Sequence, residues 1–452
     1  MLSAPSHDVV AQVWAEIDGE PDWSAELAAA LVRIPSINPK FPTGAAGADL
    51  AGGEARVQAR LAEELEALGL STRQFDALPG RPNLVAKTEG GGDPARSLIL
   101  CGHVDVVPVG DVSQWSYPPF SGEIRDGRLL GRGSQDMKAG LAACVGAIRA
   151  IRKAGVRLDG QLALHSVVDE EAGGAGAKAM VAAGELAAAV IVAEPANGEV
   201  HVSQGGLEWL RVTIRGRQGH SAYRYAGYWP QPHDQRTGAE PISAADLATR
   251  FLAALRDYEA IVARAKSHPL MPPGVNHFGV GAMWIGAGLG LDGLPEIMSN
   301  PGITPDVAVI DIDMKFLPQE TSAGARAEFE AFVAAFSATD PWLRAHPIRV
   351  DWDLYGLHFP PLNTPADHPL VGAIRAARRR LGHPETRARG SIGVTDAAHY
   401  AAAGVPGLRY GPFGANQHGA DEWADVASIC ETTKVLAAAV IDWCGVRPPT
   451  GA

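Results

Sequence analysis

The chain is poor in cysteine, in long apolar runs and in positive charge, and each shortage removes a class of protein. Its 452 residues hold four cysteines, with no C-x-x-C pair. That leaves neither a disulfide scaffold nor a thiolate metal site to expect. Cys101, Cys144 and Cys430 lie in apolar context and read as small buried hydrophobes of a reducing compartment; Cys444 is near the C-terminus. No run of about 18 apolar residues occurs, so no membrane span is expected. The opening MLSAPSHDVVAQVWAEIDGEPDW lacks a basic start followed by an apolar core, so no secretory leader is expected either, and the cytoplasm is the expected location. A net charge of −12 provides no basic face for phosphates and argues against nucleic acid as a partner, although acidity alone also serves solubility. There is no G-x-S-x-G elbow, which removes the usual serine hydrolase. The glycine clusters at Gly173 to Gly176 and Gly286 to Gly293 lack the strand–turn–helix setting of a phosphate loop and read as turns. No internal repeat or low-complexity tail is present.

What is there is an ordinary globular composition, 46% hydrophobic and 20% charged, long enough for two domains. Up to about Gly206, helical and strand-like segments alternate. Strands NLVAKTE, SLILCGHVDVV, QLALHSVVD and AAVIVAEP are separated by helices such as MKAGLAACVGAIRAIRKAG. Short apolar strands between helices predict an α/β fold, a mostly parallel sheet covered on both faces. LEWLRVTIRGRQG then alternates like a half-exposed strand. Further strands (NHFGVGAMWIGAG, DVAVIDIDMKF, PIRVDWDLYG) and two helices follow, which predicts a smaller α+β unit inserted into the first. The expected boundaries are 1–206 and 357–452 for the larger domain and 207–356 for the insertion.

Acidic residues and histidines stand where the apolar runs stop. His103 and Asp105 follow LILCG, Asp136 precedes MKAG, Glu170 and Glu171 end LALHSVVD, Glu194 ends AVIVA, and His418 lies in GPFGANQHGADEW. Ligand sites of open α/β sheets form at the carboxyl ends of strands. Imidazole and carboxylate without thiolate suit zinc, cobalt or manganese, and a bridging carboxylate with two ligands on each side suits a pair of ions. The pattern predicts a two-metal hydrolase. Each residue also has a plainer reading: Asp136 as a helix N-cap, Glu170 and Glu171 as a solvated loop edge, Glu194 as a structural residue before proline. His165, inside an apolar strand, reads as a satisfied core residue, and His399 as a minor candidate for substrate contact.

The motifs GHVDVVP, W-x-x-x-PF (Trp115 to Phe120), DGRLLGRGSQDMK, VVDEEAGGAG, AEP, GRQGHSA and GP-x(5)-H-x-x-DE, in this order, resemble the M20 metallopeptidase family. That family includes acetylornithine deacetylase, succinyl-diaminopimelate desuccinylase, aminoacylase and glutamate carboxypeptidase. The resemblance spans almost the whole chain and is densest from Leu98 to Glu194. It implies that His103 and Glu194 bind one ion, Glu171 and His418 the other, and that Asp136 bridges them, with zinc the first expectation. Asp105 is then expected to accept the second imidazole N–H of His103, and Glu170 to take a proton from the attacking water. A cis Asp136–Met137 bond is implied as well. So is an oxyanion role for His220 in the inserted lid, reached from the partner subunit of a homodimer.

The chain departs from the family in places. TGAEPISAAD stands where lids usually carry Asn-Ala-Ile, Lys315 replaces Arg in D-x-R, Gly205 replaces a frequent basic residue, and TDAR reads Thr395-Asp396-Ala397-Ala398. Arg and Lys are not equivalent in a bidentate carboxylate clamp. Tyr223, Tyr225, Tyr228 and Trp229 beside His220 are candidates for an aromatic substrate wall or for packing. The expected reaction is hydrolysis of a small N-acylated amine or amino acid. A short-peptide dipeptidase or carboxypeptidase, a deformylase of an N-formylated heterocyclic amine, and a catalytically silent ligand-binding relative are the alternatives.

Overall fold

The computed structural model describes residues 5–41, 52–89, 93–223, 240–298 and 300–447. Tyr225, Tyr228 and Trp229 lie outside them. The chain divides into two compact units, one built from residues up to Gln204 and again from Leu362, the other from Gly205–Pro361.

Among the described residues of the first unit, nine strands share one sheet. Their order is Ser71–Leu78, Arg81–Lys87, Leu162–Val167, Leu98–His103, Ala189–Val192, Gly407–Arg409, Val200–Gln204 and Leu362–Asn363, with Ala388–Ser391 also paired to Val200–Gln204. Leu98–His103 is parallel to both neighbours, and Gly407–Arg409 extends the parallel centre. Pairing turns antiparallel toward the Ser71 edge and at Leu362–Asn363. Every residue of Leu98–His103, Leu162–Val167 and Ala189–Val192 is buried. Burial on both faces is why these strands are continuously apolar instead of alternating.

The helix Ala139–Lys153 begins just after Asp136. Its buried side is rich in alanine and glycine and packs on Leu98–His103 and on the helices Trp23–Val32 and Val426–Cys444. Gly140 permits the approach, because a Cβ there would stand 1.8 Å from the carbonyl oxygen of Ala193. The Asp136 segment is thereby set against the strand end that carries Glu194. The Asp136–Met137 peptide is cis. A small four-stranded sheet, Gly414–Ala415, Trp423–Asp425, Arg128–Leu130 and Glu123–Arg125, joins the C-terminal chain to the segment preceding Asp136.

In the second unit, Phe278–Leu289, Val307–Phe316 and Gly206–Arg215 run antiparallel side by side. Leu210, Val212, Ile214, Ile310 and Ile312 form its core with Phe251 of the helix Ala244–Ala265 and with Phe329 and Phe336 of the helix Ser322–Ala338. Both helices start at hydroxyl caps, Ser243 accepting from the Asp246 N–H and Thr321 from the Gly324 N–H. The strand expected over PIRVDWDLYG is shorter, Arg349–Asp351, because Asp353 and Tyr355 turn left-handed (φ 56° and 57°). Among the described residues no helix is long and apolar enough to cross a membrane.

Candidate metal centre

The strand ends bring the acidic residues and histidines of the first unit together. His103, last residue of its strand, places Nε2 3.1 Å from Asp136 Oδ1 and 3.1 Å from Glu194 Oε1. His418, from the far C-terminal loop, places Nε2 3.2 Å from Asp136 Oδ2 and 3.0 Å from Glu171 Oε2. The two oxygens of Asp136 thus face two different imidazoles. Glu170 and Glu171 diverge from one short turn: Glu171 meets His418, while Glu170 Oε2 stops 3.9 Å from His103 Nε2.

The tautomer of His103 is fixed differently from the expectation. Its Nδ1–H donates to the main-chain carbonyl of Asp105 at 2.9 Å, because a carbonyl only accepts, and this aims Nε2 at the cluster. The Asp105 carboxylate stands 3.6 Å from Nδ1. It accepts instead from Asn38 Nδ2 (2.7 Å) and from the main-chain N–H groups of Glu170 (3.1 Å) and Glu171 (3.2 Å). Asp105 therefore orients both glutamates. Behind it lies a buried charge network. Arg81 donates to both oxygens of Glu54 and to Asp169 Oδ1 (2.9 Å), and Lys40 Nζ reaches Asp169 Oδ2 at 2.6 Å. Asp169 has a left-handed backbone (φ 67°) directly before Glu170, so these partners hold the turn in place.

Burial pushes the carboxyl of Glu171 up to about 7 and raises those of Glu170 and Glu194. Burial works against the charged form of His418 too, but Asp136 and Glu171 outweigh it and push the imidazole up to about 11. Asp136 is held well below the carboxylate range because the two histidines outweigh its burial. The donor set fits divalent ions. Ligand atoms placed tetrahedrally around one ion at bond lengths of about 2.0–2.2 Å stand about 3.3–3.6 Å apart, a little wider than the 3.0–3.2 Å spacings of His103, Asp136, Glu194, Glu171 and His418.

His220 belongs to the second unit. It lies on the strand Gly219–His220, exposed, paired with Ile303–Thr304 and edge-on to the ring of Tyr223. His165 is wholly buried and bonds the Tyr400 hydroxyl at 2.8 Å, as a core histidine should. Asn38, Lys40, Glu54 and Arg81 carry no signal in the sequence, and Glu422, which ends the GP-x(5)-H-x-x-DE motif without a role assigned there, accepts from the main-chain N–H of Asp136. Asp396 of the altered TDAA segment is also buried, with neither carboxylate oxygen hydrogen-bonded among the described residues, and burial pushes it up to about 8.

Residues 99–442 match peptidase family M20/M25/M40. The chain is 28% identical over 448 residues to an N-formyl-4-amino-5-aminomethyl-2-methylpyrimidine deformylase of Halalkalibacterium halodurans, covering 97% of this chain and 98% of that protein. It is 31% identical over 403 residues to the deformylase of the same description from Bacillus subtilis, covering 86% and 89%. A succinyl-diaminopimelate desuccinylase of Paracidovorax citrulli is 30% identical over 424 residues, covering 89% and 93%. Among solved structures, aminopeptidase PepT from Bacillus cereus superposes with a TM-score of 0.66 at 19% identity, covering 93% of this chain and 98% of its own. The Bacillus subtilis YXEP protein, described as a dinuclear metal-binding peptidase of the M20 family, does so with 0.61 at 14%, covering 92% and 96%. At such identities the structures establish the fold.

Proposed function

The chain belongs to peptidase family M20/M25/M40, and from that premise we propose that it removes the formyl group from a small N-formylated heterocyclic amine. It is a metal-dependent amide hydrolase; the proposal concerns which amide it cleaves and which residues act. The observation that carries the choice is the likeness to two deformylases along 97% and 86% of the chain.

Three positions support a substrate without a carboxylate. Where the family often carries a basic residue this chain has Gly205, and a Cβ there would stand 2.3 Å from the Phe316 carbonyl oxygen. Ala398, in place of the TDAR arginine, is fully buried, and Lys315 lacks the planar fork of arginine. A desuccinylase or carboxypeptidase reading needs a carboxylate clamp that these positions no longer supply. A silent relative is disfavoured by the presence of every ligand together with Glu170.

His103 and Glu194 would hold one ion and Glu171 and His418 the other, with Asp136 between them; zinc is the first choice and the same donors accept cobalt or manganese. When bound, the ions polarise the scissile carbonyl and acidify the attacking water. Glu170 takes the proton from that water and passes it to the amine nitrogen as the C–N bond breaks, releasing amine and formate. Asp105 keeps His103 in one tautomer through its carbonyl and aims Glu170 through its carboxylate. His220 is assigned as donor to the developing oxyanion, supplied by the partner copy of a homodimer. A cytoplasmic location suits the four unpaired cysteines.

A mass-spectrometric screen of metal-loaded and chelator-treated protein tests this. The panel holds N-formyl aminopyrimidines, N-acetyl and N-succinyl amino acids, and dipeptides. Metal-dependent release of formate with little turnover of the succinyl compounds is expected. Preferred cleavage of a carboxylate-bearing substrate would replace the deformylase reading.

A further inference from the structure

Two of the candidate ligands come from irregular chain. Asp136 has φ −113° and ψ 96° inside its turn, and His418 has φ 60°, flanked by left-handed Asn416 and Asp421. No strand ladder fixes either of them. Four residues after His418, Glu422 is wholly buried and directs its carboxylate at the Asp136 segment. It accepts from the main-chain N–H groups of Gly133 (3.1 Å), Gln135 (3.0 Å) and Asp136 (3.1 Å), and from Arg132 Nη1 at 2.5 Å. Its own carbonyl accepts from Gly131 N–H (2.9 Å) and from the Tyr117 hydroxyl (2.7 Å). The neighbouring Asp421 accepts from Ser116 N–H (2.7 Å) and from the Ser116 hydroxyl. Gln417 Nε2 donates to Asp136 Oδ2.

Resting on the hydrolase reading above, we propose that Glu422 is a positioning residue that ties the two loop-borne ligands to each other and so sets where the second ion binds. One carboxylate collects three amides of the segment carrying Asp136 while its own main chain carries His418. The W-x-x-x-PF motif gains a purpose in the same account. Trp115 lies under Arg132, 5.2 Å from its guanidinium carbon, and Ser116 and Tyr117 clasp the loop that holds His418. His103 and Glu194 need no such tie, since adjacent parallel strands deliver them.

If Glu422 only satisfied buried amides, its loss would lower stability without choosing between the ions. Glu422→Gln replaces one acceptor oxygen with an NH2 group facing three N–H donors. Competition between a chromophoric chelator and the intact chain for zinc, with native mass spectrometry to count ions, separates the two accounts. The ion at His103 and Glu194, expected to be the tighter because strands deliver both residues, should be held as in the wild type. The weaker should lose about 10- to 100-fold in affinity, the range expected for partners that orient ligands. Asp421→Gly, at a half-buried loop position whose φ of 56° glycine tolerates, should weaken the same ion in the same sense by a smaller factor. It decides the question if E422Q does not fold. Either folded variant binding both ions as the wild type does, while the wild type hydrolyses its substrate, would overturn this inference alone. A wild type that binds no ions would overturn the hydrolase reading along with it.

Discussion

His103 and Glu194 reach the cluster from the ends of neighbouring parallel strands, whereas Asp136 and His418 reach it from loops. The strand-borne pair is located by a ladder of main-chain hydrogen bonds in a fully buried sheet, so its geometry follows from the fold itself. The loop-borne pair is located by individual side chains: Glu422, Asp421, Tyr117 and Gln417. The same few ångströms of site are therefore held by two kinds of support, one spread over many residues and one concentrated in a few. The concentrated kind is the easier to break by substitution.

The largest effects should come from the proposed ligands themselves, and they should be unequal in a telling way. His103→Ala and His418→Ala should both abolish turnover. Native mass spectrometry should find one ion still bound to H418A, whose strand-borne half keeps His103 3.1 Å from Glu194, and fewer in H103A, which is left without that half. Equal ion counts in the two variants would erase the distinction between the halves. Next in size is Glu170→Gln, which should slow turnover by about 10²–10⁴-fold while two ions stay bound. Loss of an ion in that variant would make Glu170 a ligand. His220→Ala should cost about 10²–10³-fold in turnover with metal content untouched, since it belongs to neither half; unaltered turnover would remove it from the mechanism.

The smallest effect concerns acid. His165 sits in the strand Leu162–Val167, paired with Leu98–His103, and burial pulls its imidazole down to about 3. Its Nδ1 bonds Tyr400 and its Nε2 has no partner among the described residues, so a second proton would be stranded in the core. The fold prefers the neutral ring, and the unfolded chain takes up the proton once the pH drops below about 6.5. Stability should therefore fall by about 1.4 kcal/mol per pH unit from 6.5 down toward 3, with no contribution above 7. Denaturant melts of the wild type and of His165→Asn at pH 7 and pH 5.5 check this: the variant should show the shallower acid loss. Parallel losses would place the acid sensitivity elsewhere.

The fold was readable because burial on both faces writes unbroken apolar runs, and because polar residues at their ends stand out against them. That made the strand-borne residues conspicuous before any coordinate. Asp136, ahead of a helix, and His418, in a glycine-rich loop, end no strand, and their roles rest on the family resemblance. The supports were harder still. Asp105 was noticed, but its carboxylate goes to the N–H groups of Glu170 and Glu171 instead of to the imidazole, and no spacing announces a bond to a distant main chain. Glu54, Arg81 and Glu422 left no period at all. A charged residue whose partners lie far off in sequence looks the same in one dimension as a charged residue in water.

The strand Gly407–Arg409 slots between Ala189–Val192 and Val200–Gln204. Considered in the order in which a ribosome makes the chain, this leaves a temporal gap in the middle of the main sheet. When Gln204 has been joined, both flanking strands exist, and the strand that belongs between them waits behind the whole Gly205–Pro361 unit. Until it arrives, Ala189–Val192 carries an open apolar edge of the kind that invites wrong pairing. The chain that closes that edge runs on directly into the loop bearing His418 and Glu422. The unfinished polypeptide thus lacks the closing strand and the last of the proposed ligands together, so on the proposed assignment a full ligand set is present only once the sheet can close.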